Sequence, residues 1–132
     1  FELLTNHSVL KHTVAVQGWH SGAFTWGVQQ AYNEPSLITS QLFSLRAGAI
    51  VDGLPAAEAR ARLSGLLIGL ELKAAEGYWR HKEVVILGNS SLAKLYHQAL
   101  IIMGVQAEIV DNERLTMAGL SCAYSQLIQE KG

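Results

Sequence analysis

The chain has 132 residues, 49% of them apolar and 16% charged, with a net charge of −1. That balance predicts a packed core in a chain sized for one domain, and it excludes a disordered one. Near-neutrality without a Lys/Arg stripe argues against a dedicated nucleic-acid surface.

The opening FELLTNHSVL puts Phe1, Leu3, Leu4, Val9 and Leu10 on one helical face. A chain that starts inside a helix, without Met, is expected to be part of a longer protein. Gln17 to Gly22 (QGWHSG) reads as a loop. Ala23, Phe24, Trp26, Gly27 and Ala31 then follow a loose helical spacing. It ends before Pro35, whose ring disfavours helix in the preceding residue. Ser36 is a candidate N-cap for a helix with Leu37, Ile38, Leu42, Phe43 and Leu45 on its apolar face. Asp52, ahead of Gly-Leu-Pro, reads as a turn or cap.

The clearest helix follows Pro55, which suits a first turn, and stops near Gly77. Its apolar face is read as Ala59, Leu63, Leu66, Leu67, Leu70 and Ala74. Gly65 and Gly69 lie on one face inside it, each costing about 0.8–1 kcal/mol relative to alanine. Close packing against another element is the simpler account of that cost; approach of a ligand is the other. The run Leu63 to Leu72 is too short to cross a bilayer and carries Glu71.

A β-branched strand, Val84 to Leu87, runs into Gly88-Asn89-Ser90-Ser91 and then a helix to about Met103. Leu92, Leu95, Tyr96, Ala99, Ile102 and Met103 form its expected buried stripe, and Gly104 caps it. A second strand, Gln106 to Val110, precedes a helix over about Glu113 to Gln129. There Leu115, Ala118, Gly119, Cys122, Ala123 and Leu127 are expected inward. Two strands joined by a helix of this length are parallel. Two strands make no stable sheet alone, so an α/β fold is expected here as the edge of a larger sheet. The organisation is a helical segment, about residues 1–78, and a βαβα segment, about 83–129. Exposed strand edges invite self-association into a homo-oligomer.

Glycine at the end of a strand lets the backbone approach a ligand, and the free amides of a following helix favour anions and polar atoms. Gly88, Asn89, Ser90 and Ser91 are therefore the candidate site, although Ser90 or Ser91 can equally cap the helix with no ligand present. The histidines, at positions 7, 12, 20, 81 and 97, show no metal-ligand spacing, and His97 is expected on a solvated face. Cys122 alone excludes an internal disulfide and a thiolate metal cluster. Asp111 or Asn112 is expected to cap the last helix. Trp19, Trp26 and Trp79 read as core or interface anchors ahead of sugar-stacking platforms, and Arg46 is expected to pair with a neighbouring carboxylate ahead of an acidic sugar substrate. No nucleophile–base constellation and no Gly-x-x-x-x-Gly-Lys phosphate loop is present.

Five segments in order carry a resemblance: AFTWGV, QLFSLRAGAIVDGLP, LSGLLIGLEL, VVILGNSSLAKLYHQALIIMG and ERLTMAGL. Together they resemble the carboxyl-terminal part of the 2-dehydro-3-deoxygalactonokinases, bacterial sugar-acid kinases. The resemblance implies a partial ribonuclease-H-like lobe of the sugar kinase/heat-shock/actin group. It implies a cytoplasmic enzyme that transfers the γ-phosphate of Mg-ATP to the 6-hydroxyl of 2-dehydro-3-deoxy-D-galactonate, in galactonate breakdown. It places Gly88, Asn89, Ser90 and Ser91 near the nucleotide, with one glycine where many relatives in the wider group have two. It matches ERLTMAGL to a helix at the lobe junction. It also places the phosphate loops and the catalytic carboxylate before Phe1, so the partner is the amino-terminal part of the same kinase. This chain alone is then inactive, without a catalytic residue or metal ligand of its own. The residues by themselves leave a second reading: a non-enzymatic α-rich interaction module in which Ser90 only caps and Gly65 and Gly69 only pack.

Overall fold

The computed structural model describes residues 19–88 and 90–130. The expected first helix and Asn89 lie outside the described residues. The chain divides into two compact units, Phe1–Tyr78 and Trp79–Gly132.

In the first unit, α1 (Ser21–Asn33), a 3-10 turn (Pro35–Leu37), α2 (Ile38–Val51) and α3 (Ala56–Ala74) follow in order. His20 starts α1: its Nδ1 accepts from the Ala23 amide at 3.1 Å. Ser36 does not cap α2. The Pro35 turn takes it into the 3-10 segment, and Leu37 stands at the cap position without a side-chain bond. Asp52 ends α2, ahead of Gly53 in a left-handed conformation. Pro55, extended at ψ 133°, stands just before α3, which ends at Ala74. A further helical turn, α4 (Glu76–Trp79), follows where Gly77 was expected to stop the helix.

The core of this unit is the contact of α1 with α3. Phe24, Val28 and Ala31 are fully buried on one side, Ala61, Leu66 and Ile68 on the other. Burying each large apolar side chain contributes about 1.5–3 kcal/mol. The deepest face of α3 is not the expected leucine face. Ala59 and Leu66 are buried as expected, but Leu63, Leu67 and Leu70 are only half-buried and Ala74 is exposed. Burial instead follows Ala61, Ser64, Gly65, Ile68, Gly69 and Leu72. The reason is steric. A Cβ on Gly65 would fall on the Phe24 carbonyl oxygen, one on Gly69 would lie 2.6 Å from Val28 O, and one on Gly27 would lie 2.6 Å from Arg62 O. The two backbones touch where only glycine leaves room, and the contacts climb both helices together, so they run side by side in the same direction. Close packing, not a ligand, accounts for Gly65 and Gly69.

Ile38 joins Ala31 and Leu66 in a core cluster, with Leu42, Leu45 and Leu70 packed against it. Arg62 pairs with Glu58 at 2.8 Å and lies 5.1 Å from the centre of the Trp26 ring. Glu76 accepts from the Tyr32 hydroxyl at 2.6 Å and pairs with Lys73 at 2.7 Å, tying the end of α1 to the end of α3. Arg46 is exposed, and no carboxylate pairs with it among the described residues.

In the second unit, β1 (Val84–Leu87), α5 (Ser91–Ile102), β2 (Ala107–Val110) and α6 (Asn112–Glu130) follow. The strands pair in parallel, with Val84 opposite Ala107 and Leu87 opposite Val110. Helix α5 ends at Gly104 in a left-handed conformation. The Gly104 amide donates to Ile101 O and the Val105 amide to Leu100 O, which satisfies the last carbonyls. Ala93, Ala99 and Leu100 are its buried residues; Leu92, in the first turn, is exposed. His97 is not solvated as expected: Nε2 lies 2.9 Å from Ala107 O and donates to it in the Nε2–H tautomer. Trp79 is buried, whereas Trp19 and Trp26 are partly exposed. Helix α6 starts on Asp111, whose Oδ1 accepts from the Glu113 amide at 3.0 Å. Its expected inward face, including Leu115, Cys122 and Leu127, is exposed. Among the described residues no helix is long and apolar enough to cross a membrane.

The backbone contact predicts an asymmetry between glycines. Gly65→Ala should lower stability by about 1–3 kcal/mol through overpacking. Gly77→Ala, where nothing lies within 4 Å of the added carbon, should be neutral or slightly stabilising. Urea unfolding of the two variants measures the difference.

Candidate functional site

The turn after β1 is built from three local features. Hydrogen bonding continues one residue beyond the strand, the Gly88 amide donating to Val110 O at 2.9 Å. Gly88 then turns the chain with φ +127°, a region that side-chain-bearing residues rarely adopt. No described atom outside its immediate neighbours comes within 4 Å of where a Gly88 Cβ would stand. The glycine is thus required by backbone direction, and the space beside it is open.

Ser90 restores an extended conformation (φ −84°, ψ 163°), and its Oγ accepts from the Ala93 amide at 3.2 Å. The capping role expected of Ser90 or Ser91 falls to Ser90; Ser91 is the first helical residue. Ser90 O accepts from the Lys94 amide at 3.3 Å. The amides of Ser91 and Leu92 have no acceptor among the described residues. They are orphan donors of a helix start, which suit a polar or anionic ligand atom. Gly88, Ser90 and Ser91 thus share one corner at the carboxyl end of a parallel pair, where open α/β sheets bind ligands. Both serines are exposed there.

A shallow open depression lies nearby in sequence and fold, at the carboxyl end of β2. It is lined by Glu108, Ile109, Val110, Asp111, Arg114 and Leu115. The sequence reading passed over this place because its polar residues follow no recognised spacing. The Asp111 carboxylate in it already caps α6. Among the described residues no group of three His, Cys, Asp or Glu side chains could hold a metal ion.

A profile of the 2-keto-3-deoxy-galactonokinase family matches residues 1–123. The chain belongs to the 2-dehydro-3-deoxygalactonokinase family. It is 40% identical over 127 residues to a Rhizobium meliloti (strain 1021) protein with a provisional 2-dehydro-3-deoxygalactonokinase name, covering 93% of this chain and 42% of that one. It is 34% identical over 119 residues to the 2-dehydro-3-deoxygalactonokinase of Escherichia coli (strain K12), covering 89% and 40%. A crystal structure of a Sinorhizobium meliloti protein, likewise given that assignment provisionally, superposes with a TM-score of 0.77. Their identity is 38%, over 96% of this chain and 43% of the solved one. The chain spans about two fifths of the length of the curated relatives it matches. The expected helix-rich α/β arrangement with two parallel strands stands, as part of a 2-dehydro-3-deoxygalactonokinase structure.

The corner has its own energetic signature. Ser90→Ala should cost about 1 kcal/mol and Ser90→Gly only a few tenths. Gly88→Ala should cost about 1–3 kcal/mol through backbone strain despite the open space. Thermal and urea melts test the ranking.

Proposed function

We propose that this chain is the nucleotide-side portion of a longer cytoplasmic sugar-acid kinase. The kinase transfers the γ-phosphate of ATP to the 6-hydroxyl of 2-dehydro-3-deoxy-D-galactonate. The main chain of Gly88, Asn89, Ser90 and Ser91 meets the adenosine side of the nucleotide. The carrying observation is the open Gly88 corner at the carboxyl end of a parallel strand, in a chain of this family.

The residues fit that role. Gly88 removes the side chain that would hold a ligand away from the backbone, and Ser90 orders the first turn by capping it. The Ser91 and Leu92 amides remain to donate hydrogen bonds. In this reading the helix-rich α/β chain is part of a ribonuclease-H-like lobe, with further strands supplied beyond the matched two fifths.

Phosphoryl transfer depends on positioning and on neutralising charge at the phosphates. The oxygen of the sugar-acid hydroxyl bonds to the γ-phosphorus, the bond to the ADP oxygen breaks, and the hydroxyl proton must be accepted. No described residue is assigned that proton. Magnesium, which ATP chemistry of this kind employs, finds no carboxylate cluster among the described residues and is assigned to none of them. The 132-residue chain by itself should therefore not turn over.

Titration calorimetry of ATP against the full-length kinase tests the site. Gly88→Val should weaken binding at least about tenfold, roughly 1.4 kcal/mol. Gly104→Val, strained at another positive-φ glycine (φ +76°) at the opposite end of α5, should leave affinity unchanged. Equal affinity for native and Gly88→Val proteins would remove the site assignment.

A further inference from the structure

Helix α5 joins the two strands, and its first turn supplies the Ser91 and Leu92 amides at the Gly88 corner. Its apolar hold on the sheet is slight. Ala93, Ala99 and Leu100 are its buried residues, and only Leu100 is large. Apolar contacts have no direction, so they tolerate rotation of the helix about its own axis. One polar contact does not. His97 Nε2 stands 2.9 Å from Ala107 O, across the crossover. A hydrogen bond weakens steeply as its angle and distance change.

The carbonyl that His97 meets lies outside the strand pairing. The Gly88 amide donates to Val110 O. Successive carbonyls along a strand alternate sides, so Ala107 O points away from β1. The His97 bond therefore takes nothing from the ladder and satisfies an acceptor at the outer edge of β2. It pins the middle of α5 to the first residue of β2, about 9 Å along the helix axis from Ser91.

The geometry points to His97 as a positioning residue for the nucleotide. It fixes the rotation of α5, and with it the aim of the Ser91 and Leu92 amides. The inference rests on the reading of the Gly88 corner as the adenosine site, and it adds a residue that acts through the helix rather than by contact. Misplacing a group in such a site by about 1 Å can cost about 100-fold.

Steady-state kinetics of the full-length kinase test this, with ATP and 2-dehydro-3-deoxy-D-galactonate varied in turn. His97→Leu removes the donor; it should raise KM for ATP about fivefold or more and leave KM for the sugar acid unchanged. His97→Gln carries an amide N–H where Nε2 stands, and should return KM for ATP to within about twofold of the native value. His97→Asn is polar but too short to reach Ala107 O. It should behave like His97→Leu, and takes its place should the apolar change prevent folding. A role confined to stability gives another result: lower melting temperatures and less active protein, with both KM values native in every variant. That result would overturn the inference, and so would His97→Gln behaving like His97→Asn. ATP titration of Gly88→Val keeps the two ideas apart. Weakened binding there, beside a native KM for ATP in His97→Leu, refutes the role of His97 alone. Native binding by Gly88→Val removes the nucleotide corner itself, and the positioning role with it.

Discussion

The candidate corner depends on a single backbone constraint, the φ of +127° at Gly88. Parallel pairing holds the chain in register through the Gly88 amide, and the next residues must leave the sheet to begin a helix above it. Residues with a side chain rarely adopt the conformation that does this, and no described atom fills the space where a Cβ would stand. Structural need and ligand access therefore coincide at one residue. Ser90 then caps the first turn of α5, its Oγ accepting from the Ala93 amide.

Glycine works in the opposite way in the first unit. Gly27, Gly65 and Gly69 face backbone at distances that exclude any side chain. There the conformational cost of glycine inside a helix is offset by the burial that the close approach permits. Among the described residues nothing stands beside Gly88; Gly65 has no room beside it. The residue type alone does not separate a packing glycine from one beside open space, and the surroundings do.

That distinction also explains what could be read in the sequence. The strands, the crossover helix, the Gly104 cap and the caps at Ser90 or Ser91 and at Asp111 or Asn112 follow from local chemistry and so were legible, and the structure selects Ser90 and Asp111. The order of motifs made the family legible too. The deepest face of α3 was not, because hydrophobic spacing weights leucine whereas the contact selects the smallest residues. Ser36 was misread because Pro35 drew it into a 3-10 turn. His97 was misread because its carbonyl partner, Ala107, lies across the crossover and carries no sequence signal. Helix α6 shows the reverse failure: residues whose spacing placed them inward, Leu115, Cys122 and Leu127 among them, are exposed. The candidate corner was legible as a place, through Gly88 and the serines, while its openness had to come from coordinates.

The most direct test is a crystal structure of the full-length kinase with a non-hydrolysable ATP analogue. The account predicts adenosine atoms within about 4 Å of the main chain at residues 88–91. A nucleotide bound elsewhere, with this corner facing solvent or filled by side chains, would contradict it.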